Sequence, residues 1–395
     1  MTITKKVLSF AMAAIMSIAM LGTTTNMAFA EPHSGNSVHF DEVNQEVTFD
    51  SKINVGEAIT APAVSIGYTV TSGGEAGTQV KAGPLEAITT ESPSAVFATD
   101  DDITGSGTKR LATQGVTIGF DSSVFTETGI YHYTVTQTQP DKLGMVYDSV
   151  ATRQIYCFVI KGEDGFKVKQ VVMYAGVPAD PTVGDTKEAK KSEGFLNGYG
   201  VKTSGDPLLP SDPNAPQDVT IKSWVAGDMA DHTKEFVYTA SAGLEMDTGA
   251  QYATVVKAGD DEAPGTTMTW DGSNFTTGET VELHDGQSLI IKNVFPTQGL
   301  TMTGTAADNY KLTSKNSVSA TLEDIDVDET AVSVLVATGA ADTNGAQFKH
   351  TYTSVIPATG VLLEFAPYVL SMLLLASGIC FFAFASRKKK HNENL

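Results

Sequence analysis

The chain has 395 residues, with 46 acidic against 26 basic side chains, 41% hydrophobic residues, 36 glycines and two cysteines. That length asks for two or more domains. A net charge of −20 argues against nucleic acid or an anionic membrane surface as partner, since phosphates are held by clustered Lys and Arg, and a charged fraction of 18% argues against disorder throughout.

In chain order, Lys5 and Lys6 precede an apolar run from Val7 to Leu21 and a polar stretch closing on Ala28-Phe29-Ala30. A charged start, an apolar core shorter than a bilayer span and small residues before the cut predict a secretory signal peptide over residues 1–30. Between the two ends helical periodicity is almost absent. Short alternating segments predict strands at 65–70, 130–135, 166–172, 221–225, 235–239 and 288–293, separated by Gly, Asp, Asn and Ser clusters. Such a pattern is all-β and points to antiparallel β-sandwiches. Residues 201–217, with Pro207, Pro210, Pro213 and Pro216 and no alternation, read as an extended, semi-rigid linker. The expected domains are therefore residues 31–200 and 218–355.

Phe365 to Ala385 carries no charge, is long enough at ~1.5 Å per residue to cross a ~30 Å hydrocarbon core, and is followed by Arg387-Lys388-Lys389-Lys390. Basic residues beside a span stay in the cytoplasm, which places the bulk of the chain outside. Just before the span stands Ile356-Pro357-Ala358-Thr359-Gly360. Pentapeptide, span and basic tail in that order resemble the cell-wall sorting signal of Gram-positive surface proteins, with Ile356 at the position where Leu is usual. The resemblance implies a sortase as partner, cleavage between Thr359 and Gly360, and transfer of the Thr359 carbonyl to an amine. Pro357 fixes φ and holds the segment extended for such a groove. Cys380 falls in the span, so Cys157, in the run Ile155 to Ile160, is the one thiol left outside and is expected to be a buried small hydrophobe.

The first domain resembles the major backbone pilins of Gram-positive bacteria, of T-antigen type, through Pro62 to Tyr68, Val116 to Gln137, Tyr147-Asp148 and Phe195-Leu196-Asn197-Gly198-Tyr199. The resemblance implies two tandem Ig-like domains of the Cna-B type. It also implies an intramolecular Lys–Asn isopeptide bond assisted by a Glu. Carried over, Lys52 is the nucleophile, Asn197 the electrophile, and Gln137 stands in place of the Glu. A lysine attacks a carboxamide as a neutral amine, which burial favours, and an acid must shuttle the proton as ammonia leaves. An amide at 137 cannot do so, which leaves Asp50 or Asp148 as stand-in acids. Lys52 lies one residue past the Val47, Phe49 rhythm and needs a β-bulge to point inward.

The second domain resembles the family's C-terminal domain through Val219 to Lys222, Gly227 to Ala230, Lys234 to Tyr238, Leu283 to Ser288 and Phe348 to Tyr352. Its lysine position holds Ser223, its Asn position His350, and its Glu position falls near Gly304. A sandwich without a crosslink is expected there, with His350 as a partly exposed strand residue. The family's polymerisation lysine precedes the Phe-x-Asn strand, which points to Lys190 or Lys191, with Lys187 as a neighbour.

No His-Glu-x-x-His, Gly-x-Ser-x-Gly or Walker-type loop occurs, and the seven histidines are scattered. Asp100-Asp101-Asp102 and Asp324 to Glu329 lack calcium-loop spacing. No enzyme activity, cofactor or metal is expected. The reading is a major pilin, partnered by sortase, other copies of itself, minor pilins and peptidoglycan. The alternative is a singly anchored adhesin or minor pilin that binds a host ligand through the stretch from Gly73 to Thr113.

Overall fold

The computed structural model describes residues 38–75, 79–181, 190–242, 246–271, 275–277, 280–353 and 368–381. The predicted leader, Lys187 and the pentapeptide Ile356-Pro357-Ala358-Thr359-Gly360 lie outside the described residues.

The first domain comprises β1 (His39–Asp41), β2 (Glu46–Val55), β3 (Val64–Ser72), β4 (Val80–Ala82), β5 (Ser94–Phe97), β6 (Ile103–Ser106), β7 (Lys109–Gly119), β8 (Gly129–Gln137), β9 (Met145–Val146), β10 (Thr152–Gly162), β11 (Gly165–Tyr174) and β12 (Gly194–Tyr199). One sheet runs β6-β7-β2-β12-β9 with β1 on β2, and the other β11-β10-β8-β3-β5 with β4 on β8. The stretch from Gly73 to Thr113 is thus built into both sheets. Alternation makes the sandwich: Val47, Phe49 and Ile53 of β2 face Ile66, Tyr68, Tyr133 and Val135 of the other sheet, all buried. Cys157 is free and fully buried among them, and burial pushes its thiol pKa well up, which fits the expected apolar core residue.

The second domain comprises β13 (Gln217–Ala226), β14 (Phe236–Ala242), β15 (Gln251–Tyr252), β16 (Thr254–Ala258), β17 (Asp261–Pro264), β18 (Met268–Trp270), β19 (Phe275–Thr277), β20 (Thr280–Leu283), β21 (Gln287–Val294), β22 (Gly299–Gly304), β23 (Tyr310–Lys315), β24 (Ala331–Leu335) and β25 (Gly345–Tyr352). Sheets β17-β16-β21-β13-β25-β23 and β20-β14-β22-β24 enclose its core, with β15-β18-β19 as a small third sheet. The predicted all-β, two-sandwich fold is what forms, and each strand predicted from alternation falls on an observed one. The sheets are not wholly antiparallel, however. In each domain the first long strand pairs in parallel with the last, β2 with β12 and β13 with β25.

The proline-rich segment differs from the expected extended linker. Val201 and Ala215 are buried, Val201 bridges Pro207, and Asn214 Nδ2 donates to Met145 O at 3.4 Å. Pro210 and Pro213 take the second place in turns closed by Asp212 N–H to Leu209 O and Ala215 N–H to Asp212 O, so the segment folds back on the first domain. The joint is closed by Phe295, which joins the first domain's core with its ring 4.7 Å from that of Tyr199. Gly144, at φ +80°, leaves room for it: a Cβ there would lie 2.5 Å from the Phe295 ring. Around this contact Lys142 pairs with Asp247, Asn293 Nδ2 donates to Glu57 O (3.2 Å) and Thr99 Oγ1 to Thr248 O (2.8 Å).

Residues 368–381 form a helix of apolar, exposed residues. Among the described residues no helix is long and apolar enough to cross a membrane. The rest of the span predicted over 365–385 lies outside the described residues.

Candidate functional site

The alternation of β2 decides which side chains meet. Val47, Phe49, Ser51 and Ile53 point into the core, while Thr48, Asp50 and Lys52 point away. The register of β2 runs unbroken against β7 from Glu46 to Asn54 and against β12 from Asp50 to Val55. There is no bulge in β2 to turn Lys52 inward, which corrects the expectation that it reaches Asn197. Lys52 lies opposite Leu196, and Asn197 lies opposite Ile53 on the other face. Lys52 Nζ instead binds Glu193 Oε2 at 2.7 Å and Asp50 Oδ2 at 3.1 Å. Burial alone would lower its pKa, but the hydrogen bonds and charges of Glu193 and Asp50 outweigh burial and raise it. The amine is held as ammonium, the wrong form for attack on an amide.

Asn197 is fully buried, held by a reciprocal amide pair. Gln137 Nε2 donates to Asn197 Oδ1 (2.9 Å), Asn197 Nδ2 donates to Gln137 Oε1 (3.2 Å), and Asp148 N–H donates to the same Oδ1 (2.9 Å). The structure therefore brings Gln137 to Asn197 as the resemblance implied, and Lys52 to neither. Neither stand-in acid reaches the amide: Asp50 is spent on Lys52, and the Asp148 carboxylate accepts from Arg153 and from Leu196 N–H.

The inward position beside Phe195 belongs to Ser51, whose Oγ accepts from Tyr68 OH at 2.7 Å. The second domain repeats this arrangement residue for residue. Ser223 lies opposite Phe348 and accepts from Tyr238 OH at 2.7 Å; His350 lies opposite Val225 where Asn197 lies opposite Ile53; Gly304 pairs with Tyr238 as Gln137 pairs with Tyr68. His350 is 0% exposed, which corrects the expectation of a partly exposed residue: its Nε2 lies 3.0 Å from Tyr238 OH and its ring stacks on Phe236 at 3.8 Å. Both domains thus place a serine bound to a tyrosine where a crosslinking lysine would stand. Intact-mass measurement of the purified chain is expected to match the calculated mass, whereas each crosslink formed would remove one ammonia, about 17 Da.

The approach to β12 is the second candidate element. Ala175 N–H donates to Lys190 O (2.9 Å), Lys191 bridges Tyr174, and Ser192 N–H donates to Met173 O (2.9 Å), so residues 190–192 extend the edge of β11. The chain then crosses to the other sheet at Gly194, where a Cβ would lie 1.8 Å from Asp50 O. Arg153 clasps the crossing: its Nε donates to Gly194 O (2.7 Å) and Ser192 Oγ (2.9 Å), its Nη2 pairs with Asp148 at 2.5 Å, and its guanidinium lies 4.5 Å from the Phe195 ring centre. Lys190 is exposed and Lys191 half-exposed, and Lys190 makes no ion pair among the described residues. The role of Arg153 carries no sequence signature, because the crossing it clasps, at Gly194, lies 41 residues away along the chain. Among the described residues no group of His, Cys, Asp and Glu could hold a metal ion.

A family model described as a domain of unknown function, DUF7601, matches residues 217–334. Comparison with curated proteins finds no match. Among solved structures, a mutant form of the major pilin from Streptococcus pyogenes is similar at 16% identity and TM-score 0.52, covering 77% of this chain and 98% of that one. The unmutated major pilin of that organism gives 16% identity and TM-score 0.49 over 77% and 97%. Its T-13 form gives 15% identity and TM-score 0.47 over 80% and 100%. Two tandem β-sandwiches with parallel first and last strands, matched over nearly the whole of that pilin, give this chain the fold of a streptococcal major pilin.

Proposed function

We propose that the chain is the major structural subunit of a covalent, sortase-assembled surface pilus anchored to the cell wall. The observation that carries the reading is the exposed Lys190, held in an extended segment at the sheet crossing of a pilin-fold chain that bears a sorting-type pentapeptide at its other end. In the proposed step a sortase cysteine attacks the Thr359 carbonyl, Gly360 and the residues after it leave with the amine, and a thioester forms. Lys190 Nζ of another copy then attacks the thioester; its C–N bond forms, the C–S bond breaks, and the lysine proton passes to the leaving thiolate. Lys191, half-exposed at the bridge to Tyr174, is the second acceptor. Transfer to a peptidoglycan amine ends the polymer and fixes it to the wall; minor pilins enter by the same chemistry.

Electrophoresis of wall extracts under denaturing conditions tests this. Wild type is expected to give a ladder of high-mass species, and Lys190→Ala with Lys191→Ala to leave monomer only. A ladder that persists unchanged in the double variant would refute these acceptors, and wild type without a ladder would refute the pilus reading.

A further inference from the structure

Residues 201–353 hold 22 acidic side chains against eight lysines and no arginine. Six of those eight, Lys222, Lys257, Lys292, Lys311, Lys315 and Lys349, lie on one surface, the outer face of the sheet β17-β16-β21-β13-β25-β23. The registers prove the common face: Lys257 lies opposite Ser288, Ser288 opposite Lys222, Lys222 opposite Gln347 and Gln347 opposite Lys315. With strands ~4.8 Å apart, this row puts an amine on every second strand, roughly 10 Å from the next.

Carboxylates reach only part of the face. Glu262 pairs with Lys257 (3.3 Å), Asp218 with Lys292 (2.7 Å) and Asp328 with Lys311 (3.3 Å). Lys349 donates to Leu322 O (2.7 Å), on a segment carrying Glu323, Asp324 and Asp326 that borders β25 and β23. Lys222 and Lys315 make no ion pair among the described residues. Lys222 Nζ sits 4.4 Å from the centre of the half-exposed Trp224 ring, and Trp224 Nε1 and the Oε1 of Gln347 are buried without partners. Buried polar atoms left unpaired cost about 1–3 kcal/mol each and call for an explanation.

We propose that this face binds a linear acidic polysaccharide outside the cell, with anionic groups on Lys222, Lys257 and Lys315 and a sugar ring against Trp224. The segment carrying Leu322 and Ile325 bonds to Lys349 and Thr313 on the β25 and β23 side of this face, where Thr313 and Gln347 are buried. The strip from Lys257 to Trp224 stays half-exposed and suits an extended chain better than a compact ligand. At physiological ionic strength the Debye length is about 8 Å, so acids on the opposite sheet, ~10 Å away, are largely screened from a ligand lying on this face. The amines select the charge, and the indole selects a sugar over a bare polyphosphate.

Binding of heparin fragments to the chain lacking its leader and C-terminal apolar segment, followed by calorimetry across a salt series, tests the proposal. Binding should weaken with salt, and Lys222→Gln and Lys315→Gln should each weaken it about 3- to 10-fold and flatten the salt dependence by about one ion. Trp224→Ala should weaken heparin binding without changing the salt slope. Lys161→Gln and Lys202→Gln, off this face, should leave affinity unchanged, and thermal melts should show each variant folded. No binding by wild type, or equal losses from the two control lysines, would overturn the site. Polyphosphate binding as tight as heparin and indifferent to Trp224→Ala would overturn the polysaccharide, as would salt-sensitive self-association through this face instead.

Discussion

Replacing Arg153 by Met is expected to destabilise the first domain by about 3–5 kcal/mol, the usual cost of stranding one half of a buried ion pair. Arg153 and Asp148 have side chains 7% and 14% exposed. Met keeps the apolar stem over Phe195 but leaves the Asp148 carboxylate without its counter-charge. It also leaves the carbonyls of Gly194, Val150 and Thr152 without the guanidinium donors that now reach them. Pairing Arg153→Met with Asp148→Asn should recover much of the loss, because no uncompensated charge then stays buried. Urea midpoints check this. A loss below about 1 kcal/mol for Arg153→Met would show that the clasp is not what holds the entrance to β12.

Acid is expected to weaken the second domain through His350. Burial pushes its pKa down to about 4 from 6.5, and the nearby positive charge of Lys234 adds to the shift. Tyr238 OH donates to Ser223, so His350 Nε2–H donates to the tyrosine oxygen and Nδ1 is left buried without a partner. A proton arriving at Nδ1 therefore gains a charge with nothing to receive it. The sign follows from the direction: the unfolded chain takes up this proton near pH 6.5 and the folded chain only near 4. Stability is thus fully present above the upper value and falls as pH drops between the two. The whole window is worth about 3 kcal/mol. His350→Phe keeps the stack on Phe236 and should flatten this stretch of the pH profile. A wild-type stability that is level from neutral pH down to the lower value would contradict the account.

Much of the fold was legible because strand alternation survives in the sequence. Ile130 to Val135 and Ile221 to Val225 lie within β8 and β13, and Phe195-Leu196-Asn197 is the closing strand of its domain. The same alternation held the answer at the candidate site. Counting by twos from Val47 and Phe49 arrives at Ser51, and Lys52 is a conspicuous residue on the wrong parity. In the second domain Ser223 stands at the lysine position, and its equivalence with Ser51 rests on the registers of β12 and β25, which sequence alone does not carry. The turns of Gly200 to Gln217 were not legible, since regularly spaced prolines serve an extended linker and a chain of tight turns alike. Nor was the burial of His350, which depends on Phe236 and Tyr238, more than 110 residues away along the chain.

The serine–tyrosine pairs leave each sandwich held by packing and hydrogen bonds, so the covalent continuity proposed for the fibre rests on the bond between copies. Tandem mass spectrometry of peptides from wall-released polymer tests that bond most directly. A branched peptide is expected in which the Thr359 carbonyl is joined to Nζ of Lys190 or Lys191. Thr359 found joined only to peptidoglycan amines, with both lysines unmodified, would contradict it.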